Sequence, residues 1–311
     1  MDDERIVAFV PVLNGGVNKL ADYEFATGVK LTASVPPDSL RLALESLASN
    51  QWVSLAESRA LELARGMLWI ESREAPLRPQ ETISGTSRIA TKLRNVLWCI
   101  YLHPFGENTY WRFSNLLSNC AVYVHSHLGG FFDSPRRFPF MYGVPNGEQG
   151  TVAGWPVDVL RSADALAAAL ESYQERIPRV YLAGKLHRIM AGVEVMEFSA
   201  VRLQLAVTAL ETFYIAPRES KHIWTPDVVT RVRNLCPDSI DIPPGFFTDL
   251  QQVRNDVVHR GGLSKQGDVN HRRASVLITV ELILRETLKW AIRNLREVGD
   301  AFEKDEWPEP A

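Results

Sequence analysis

Cysteine is scarce in this chain, and none of it is arranged for metal binding or redox chemistry. The three cysteines, Cys99, Cys120 and Cys236, are widely separated and form no CxxC pair. The sequence therefore predicts neither a zinc knuckle nor a redox dithiol. An odd cysteine count is typical of a protein kept in a reducing compartment, so we expect a cytoplasmic location.

Long apolar runs are missing as well. No uninterrupted stretch of about eighteen apolar residues occurs, so we expect no membrane-spanning helix and no membrane partner. Residues 1–5 (MDDER) are acidic and lack the basic start and apolar run of a signal peptide. Neither a Walker loop nor a GxGxxG fingerprint is present, and we expect no cofactor.

A strong net charge is also absent, because the formal charge is −3. This excludes a protein coated with basic residues for nucleic-acid binding. Residues 178–299 nevertheless carry roughly four more basic than acidic side chains. This region could hold RNA weakly, or it could be an ordinary surface. Residues 300–311 form an acidic, proline-containing tail that we expect to be solvated.

What is present is an ordinary globular composition, 46% hydrophobic and 23% charged over 311 residues, enough for two domains. The first third predicts strands and some helix. Apolar or alternating runs predict strands at residues 6–13, 28–35, 67–72 and 120–125. Asp38 or Ser39 caps a predicted helix, whereas residues 94–102 are compatible with a strand or a helix.

Residues 129–154 are rich in glycine, proline and aromatic residues and have no clean period, so they are predicted to form a long loop. We place the domain boundary here, which gives a mixed α/β domain at 1–155 with a sensor or regulatory role. A mainly helical domain follows at 156–299.

The helical domain is delimited by proline and glycine. Pro178, Pro217, Pro237 and the Gly261-Gly262 pair interrupt apolar periods of helical spacing. Helices are predicted at 162–177, at 179–215 as one helix or two, at 226–235, from 245 or 246 to about 259, and at 275–298. The fold class is therefore α+β and mainly α.

Residues 250–262 (LQQVRNDVVHRGG) carry the most informative motif. On an ideal helix Asn255 and His259 share a face, whereas Arg254 lies roughly 140° from His259. Arg254 and His259 converge if the helix loosens near Gly261, or if a second copy completes the site.

These residue types suit metal-independent RNA cleavage through the 2′-hydroxyl. A histidine, with an ordinary pKa of roughly 6.5, can transfer a proton near neutral pH. The planar fork of an arginine suits a phosphate. Asn255 could orient either one. RNA supplies its own nucleophile, so this chemistry requires no metal.

Residues 254–259 (RNDVVH) resemble the signature of the HEPN superfamily, which is arginine, a polar residue, three or more further residues, and histidine. The closer resemblance is to the Apea-like HEPN branch. There a helix similar to residues 202–211 (RLQLAVTALE) precedes a segment similar to residues 253–261 (VRNDVVHRG), about forty residues later. The resemblance covers roughly residues 180–298.

The resemblance implies a helical bundle, usually dimeric, whose two motif helices face each other across the interface. It implies catalytic roles for Arg254 and His259, and it maps Glu211 to a glutamate common in the branch. Asp256 and Arg260 are supporting candidates beside the motif. The implied function is an endoribonuclease acting on RNA in prokaryotic antiphage defence or a toxin system, controlled by a regulatory protein or a phage-derived trigger.

Other interpretations of these residues stay open. His259 could be a helix C-cap, and Arg254 could pair with Asp249 or Asp256 on the surface. The helical domain could also be a non-catalytic module for protein interaction or for RNA or nucleotide binding. Elsewhere, His125 and His127 could share a strand face, but no third metal ligand is evident. Arg136 and Arg137 lie among aromatic residues that could stack bases or pin a loop.

Overall fold

The structure is a computed structural model of the chain. It describes residues 5–13, 22–32, 38, 41, 45, 64–72, 79–103, 109–114, 121–126, 129–132, 140–145, 157–173, 177–191, 200–235, 240, 242–260, 267–304 and 306–307. For some of these only the backbone is described, and His259 and Arg260 are among them. The described residues form an α+β, mainly α protein, as the sequence predicts.

The chain divides into two compact units, residues 1–172 and 173–311. The division falls after the helix at Val157–Ser172, whereas the sequence placed it at 155/156. The reason is packing, because this helix lies against the helix at Pro79–Tyr101 of the first unit. A loop marks a domain boundary only if the element that follows it does not pack against the domain that precedes it.

The first unit contains an eight-stranded sheet whose order is β2-β3-β4-β1-β6-β7, with β8 pairing both β1 and β5. The strands are β1 (Arg5–Leu13), β2 (Tyr23–Glu24), β3 (Lys30–Thr32), β4 (Ala64–Ser72), β5 (Thr109–Ser114), β6 (Ala121–Ser126), β7 (Gly129–Phe132) and β8 (Phe140–Pro145). The four predicted strands correspond to β1, β3, β4 and β6 where they are described.

Strand β1 lies at the centre of this sheet. One edge pairs antiparallel with β4 along its whole length, while the other pairs antiparallel with β6 and, at its end, parallel with β8. Val7, Ala8 and Phe9 are consecutive and all buried, so both faces of β1 are covered. This explains why its sequence is a continuous apolar run rather than an alternating one.

Helices α1 (Pro79–Tyr101) and α2 (Val157–Ser172) pack against each other, and α1 contacts β1 and β4. The ambiguous segment 94–102 therefore lies mostly in a helix, and its consecutive buried residues fill the core. Asp164 of α2 accepts a hydrogen bond from the backbone amide of Ala26 at 2.8 Å and one from the Tyr23 hydroxyl at 3.3 Å. These bonds tie α2 to the β2–β3 hairpin.

The predicted long loop at 129–154 is wrong in part, because β7 and β8 lie within it. β7 pairs antiparallel with β6, and β8 pairs antiparallel with β5. The glycine, proline and aromatic residues of this segment gave no alternating pattern that would predict a strand. These two strands are stabilised by pairing with partners that are distant in sequence, not by a local period. The predicted helix after Pro37 is described only at Asp38, Arg41 and Glu45, which are helical.

The second unit is helical. Its helices are α3 (Pro178–Ala191), α4 (Ala200–Tyr214), α5 (Pro226–Leu235), α6 (Phe246–Arg260), α7 (Gly267–Arg293) and α8 (Leu295–Glu303). The prolines at the first positions of α3 and α5 explain where those helices start, because proline needs no amide hydrogen bond there. Gly245, with φ of 81°, adopts a left-handed conformation just before α6, which glycine tolerates without strain.

Helix α7 is central to this unit and contacts α3, α4, α5, α6 and α8. Val280, Ile283, Leu284 and Leu288 of α7 are fully buried, as the predicted apolar side requires. The long segment predicted at 179–215 forms two helices. The helix predicted at 275–298 is also two helices, since Asn294 departs from helical geometry between α7 and α8.

The acidic tail is not simply solvated. Trp307 stacks on Tyr214 with ring centroids 5.1 Å apart and meets Phe213 edge-on at 5.6 Å. The burial of an aromatic ring outweighs the solvation of the neighbouring acidic residues. The tail residue Trp307 thereby supports the end of α4.

None of the helices in the described part of the chain is long and apolar enough to cross a membrane.

Candidate functional site

The predicted motif lies on α6, which continues as a helix from Phe246 to Arg260. Leu250 and Val253 are buried and anchor one face of this helix to the core. Because the helix stays regular past His259, the loosening that would bring Arg254 and His259 together within one copy does not occur at these positions. The backbone positions of Arg254 and His259 are therefore roughly 140° apart around the helix axis.

Arg254 is half-buried and makes few polar contacts with the described residues. Its Nη1 donates to Asn255 Oδ1 at 3.5 Å, the long limit for a hydrogen bond, and its guanidinium lies 5.8 Å from the centre of the Trp224 ring. Among the described residues, Arg254 has no carboxylate partner and its buried Nε has no acceptor. A guanidinium with unused donors is suited to receive an anion such as a phosphate.

The surface ion-pair interpretation of Arg254 fails for the described residues. Asp249, one of its two suggested partners, is bound instead by Nη2 of Arg272 on α7, which also contacts Gln252. Asp256 is half-buried on the same helix as Arg254 and makes no ion pair with it.

Glu211 comes close to the same region from the last turn of α4. Its Oε1 lies 3.2 Å from Nδ1 of His222, in the loop between α4 and α5. The His222 ring stacks on Trp224 with centroids 4.8 Å apart and an interplanar angle of 18°. Trp224 therefore lies next to both the His222 ring of the Glu211–His222 pair and the Arg254 guanidinium.

The loop carrying His222 and Trp224 is braced by ion pairs. Glu219 accepts hydrogen bonds from Arg231 at 3.0 and 3.1 Å, from Lys221 at 2.8 Å and from the Ala216 amide at 2.9 Å. Hydrogen bonds from Arg231 and then Lys221 hold the pKa of Glu219 well below its usual range. Lys221 also bonds Asp227 at the start of α5.

Arg231 extends the brace in two further directions. It donates to the Tyr214 carbonyl at 2.9 Å, and its guanidinium lies 5.6 Å from the centre of the Trp307 ring. Backbone and hydroxyl bonds between His222 and Thr225 close a turn around the histidine itself. The loop is thus fixed before any ligand arrives.

The structure brings some of the predicted site residues together and does not describe the side chains of others. Arg254, Asn255 and Glu211 belong to one cluster with His222 and Trp224, which we call the α4–α6 cluster. The side chains of His259 and Arg260 lie outside the described part of the chain, although both residues are in α6. His127, Arg136 and Arg137 are outside the described residues, and His125 is described only as backbone of β6.

His222 and Trp224 are the residues that the sequence analysis missed. No local period marks them, since they lie in a short loop eleven and thirteen positions after Glu211. The presence of a histidine and a tryptophan in a loop just after the predicted helix that contains Glu211 was the one available signal. Loops on rigid helices often carry functional side chains.

No protein-family model matches this chain, and neither a curated protein nor a solved structure matches it.

Proposed function

We propose that this protein is a metal-independent endoribonuclease of the Apea-like HEPN type. The observation that carries the proposal is the uncommitted Arg254, which has no carboxylate partner among the described residues and faces an aromatic ring. A half-buried guanidinium that has no carboxylate partner among the described residues is suited to bind a phosphate, because its planar fork matches phosphate geometry.

In the proposed reaction, the 2′-hydroxyl oxygen attacks the adjacent phosphorus and the bond from phosphorus to the 5′-oxygen breaks. Arg254 stabilises the charge that develops on the non-bridging oxygens. His259 transfers one of the protons. The products are a 2′,3′-cyclic phosphate, which hydrolyses to a 3′-phosphate, and a free 5′-hydroxyl.

A homodimer belongs to this proposal. Arg254 and His259 lie on different sides of a regular helix, so a two-fold axis beside α6 would let each copy complete the other's site. Val258, next to His259, exposes 47% of its surface, which is a large fraction for an apolar side chain. Light scattering that finds only monomer at tens of micromolar would contradict the dimer.

The first unit has a proposed regulatory role, in which it senses a regulatory protein or a phage-derived trigger. The support is its separate sheet-based core, which differs in kind from the helical unit that carries the motif. Deleting residues 1–172 should change when the RNA is cut, whereas the chemistry of the cut should not change.

A second candidate function is RNA or nucleotide binding without cleavage. The stacked rings of His222 and Trp224 favour it, since they lie beside a guanidinium that has no carboxylate partner among the described residues. Aromatic rings hold bases and arginine holds phosphate whether or not a bond is cut. The two candidates make opposite predictions for the integrity of bound RNA.

The distinguishing experiment incubates the purified full chain with transfer RNA and total RNA, with and without a chelator. We expect cleavage that the chelator does not reduce, and cyclic-phosphate ends on the products. Arg254→Gln should abolish cleavage, whereas the matched control Arg296→Gln, on the exposed face of α8, should not. Intact RNA that binds to wild type but not to Arg254→Gln would instead establish the binding module.

A further inference from the structure

RNA cleavage of this type moves two protons, one away from the 2′-oxygen and one onto the leaving 5′-oxygen. The motif on α6 supplies one histidine for these two transfers. A second proton-transfer group close to the phosphate-binding arginine would complete the chemistry. The described part of the second unit contains one exposed histidine in that neighbourhood, His222.

The Glu211–His222 pair has the geometry of an oriented proton-transfer group. The Glu211 carboxylate is 25% exposed and lies 3.2 Å from Nδ1, so it can accept the Nδ1 hydrogen and fix the ring. Fixing Nδ1 in this way leaves Nε2 as the atom that takes or gives a proton. The His222 side chain is 56% exposed, so a substrate can reach the ring.

The pair also lies near Arg254. Trp224 stacks on the imidazole at 4.8 Å and lies 5.8 Å from the guanidinium, so both groups border the same indole ring. Glu219, Arg231 and Lys221 brace the loop that carries both rings.

We propose that His222 is a second catalytic residue of this site and that Glu211 is the positioning residue that orients it. The inference rests on the ribonuclease function proposed above. His222 Nε2 carries out one of the two proton transfers and His259 the other. One imidazole removes the proton from the 2′-oxygen as the new phosphorus–oxygen bond forms. The other, as imidazolium, protonates the 5′-oxygen as its bond to phosphorus breaks.

The test compares two leaving groups. The second substrate is a dinucleotide with sulfur in place of the bridging 5′-oxygen. Its leaving group departs as a thiolate, which needs no protonation. A variant that lacks the general acid should therefore recover its rate on this substrate. Wild type, His222→Gln and His259→Gln are each assayed with the oxygen and the sulfur substrates across pH. Ser220→Ala, an exposed change in the same loop, is the control for loop disturbance.

On the oxygen substrate we expect His222→Gln to be slower by a factor on the order of a hundred. Its pH–rate profile should also lack one of the two limbs seen for wild type. The sulfur substrate should restore one histidine variant and leave the other slow. Glu211→Gln should lose roughly tenfold or more and alter the same limb of the pH–rate profile. A neutral amide no longer stabilises the His222 imidazolium, and its NH2 group can donate to Nδ1 and favour the wrong tautomer. This variant provides a second route if His222→Gln is poorly folded.

The outcomes distinguish a failure of the role proposed for His222 from a failure of the proposed ribonuclease function. If wild type cuts RNA, His259→Gln does not, and His222→Gln cuts at the wild-type rate with both limbs intact, then the role of His222 is overturned while the ribonuclease stands. Rescue of both histidine variants, or of neither, also overturns the division of roles. If wild type shows no cleavage that depends on His259, the proposed function itself fails, and the inference fails with it.

Discussion

Two regions of the second unit use the same three residue types, arginine, glutamate and histidine, in opposite ways. In the first region, Arg202 of α4 and Glu281 of α7 form two hydrogen bonds of 2.8 and 2.7 Å, with side chains 4% and 5% exposed. Arg285 lies 4.0 Å from the same glutamate, and His187 of α3 is completely buried nearby. The second region is the α4–α6 cluster, where Glu211, His222 and Arg254 are half-buried or exposed.

The difference separates structure from function. We call the first region closed, because the Arg202 guanidinium donates two hydrogen bonds to a carboxylate that is buried away from solvent and ligands. The α4–α6 cluster is open, because its arginine has no carboxylate partner among the described residues and the His222 side chain is 56% exposed. Residue type alone therefore does not identify a site; the access of solvent and ligands to the charged groups distinguishes the two regions.

Breaking the closed region should have the largest effect on stability. Glu281→Ala removes the carboxylate and leaves the Arg202 charge buried, which should cost about 3–5 kcal/mol. Glu303→Ala, an exposed change on α8, should cost within about 0.5 kcal/mol. Urea unfolding followed by circular dichroism measures both, and a loss below about 1 kcal/mol for Glu281→Ala would contradict the structural role assigned to this pair.

Changing the open region should affect activity and spare stability. Arg254→Lys keeps the charge but loses the planar fork, so cleavage should fall on the order of tenfold to a hundredfold. Stability should change by less than about 1 kcal/mol, because the side chain makes one long hydrogen bond. Rates are measured on RNA and unfolding in urea. A large loss of stability with unchanged specific activity would reverse the assignment of the two regions.

His187 gives the closed region a pH signature. Burial, and then the charges of Arg285, Arg202 and Arg188, hold the pKa of His187 well below its ordinary value. The unfolded chain takes up this proton below about pH 6.5 while the folded chain does not, so stability falls as the pH falls through that value. The slope from this group reaches at most about 1.4 kcal/mol per pH unit.

Thermal unfolding midpoints at pH 7.5 and 5.5 measure this slope. His187→Leu removes the titrating group, so the acid-induced drop in midpoint should be smaller in the variant than in wild type. An identical drop in both proteins would assign the acid sensitivity to other groups.

The loop brace should contribute less to stability than the closed region does. The pKa of Glu219 is depressed, so its contribution is present above its ordinary value of about 4.3 and is lost as the pH falls below it. Glu219→Gln should cost roughly 1 kcal/mol at neutral pH, since the residue is partly exposed. Cleavage should fall by more than this stability loss explains, because His222 and Trp224 lose their fixed positions.

The control for that experiment is Ser220→Ala, next to Glu219 in the same loop, which should alter neither stability nor cleavage. Equal rates for Glu219→Gln and wild type would indicate that loop order does not matter to the site.

Helices were predictable where the sequence carries local stop signals. Pro178, Pro226 and the Pro243-Pro244-Gly245 segment predicted where α3, α5 and α6 start, because proline and glycine act on the backbone at the position where they occur. The end of α3 at Ala191 was not predicted, since residues 179–215 were compatible with one helix or two. Strands β7 and β8 were not predictable in this way. Their hydrogen bonds run to β6 and β5, and nothing within their own sequences reports that pairing.

The candidate site divides in the same manner. Arg254 and Asn255 were predictable because they lie within one short motif on one helix. His222 and Trp224 were not, because their relation to Arg254 arises from the packing of α4 and α6 around a loop. Trp307 was missed for a related reason, since its contact with Tyr214 joins residues far apart in the chain. Contacts of this kind follow from tertiary packing and leave no periodic trace in the sequence.

One measurement tests the central claim most directly, which is that the motif on α6 is a metal-independent ribonuclease site. Wild type and His259→Ala are incubated with transfer RNA in the presence of chelator, and the ends of the products are identified. Wild type should cut and leave 2′,3′-cyclic or 3′-phosphates, and the variant should be slower on the order of a hundredfold or more while staying folded and dimeric. Equal cutting by both proteins, or unfolding of the variant, would contradict this account.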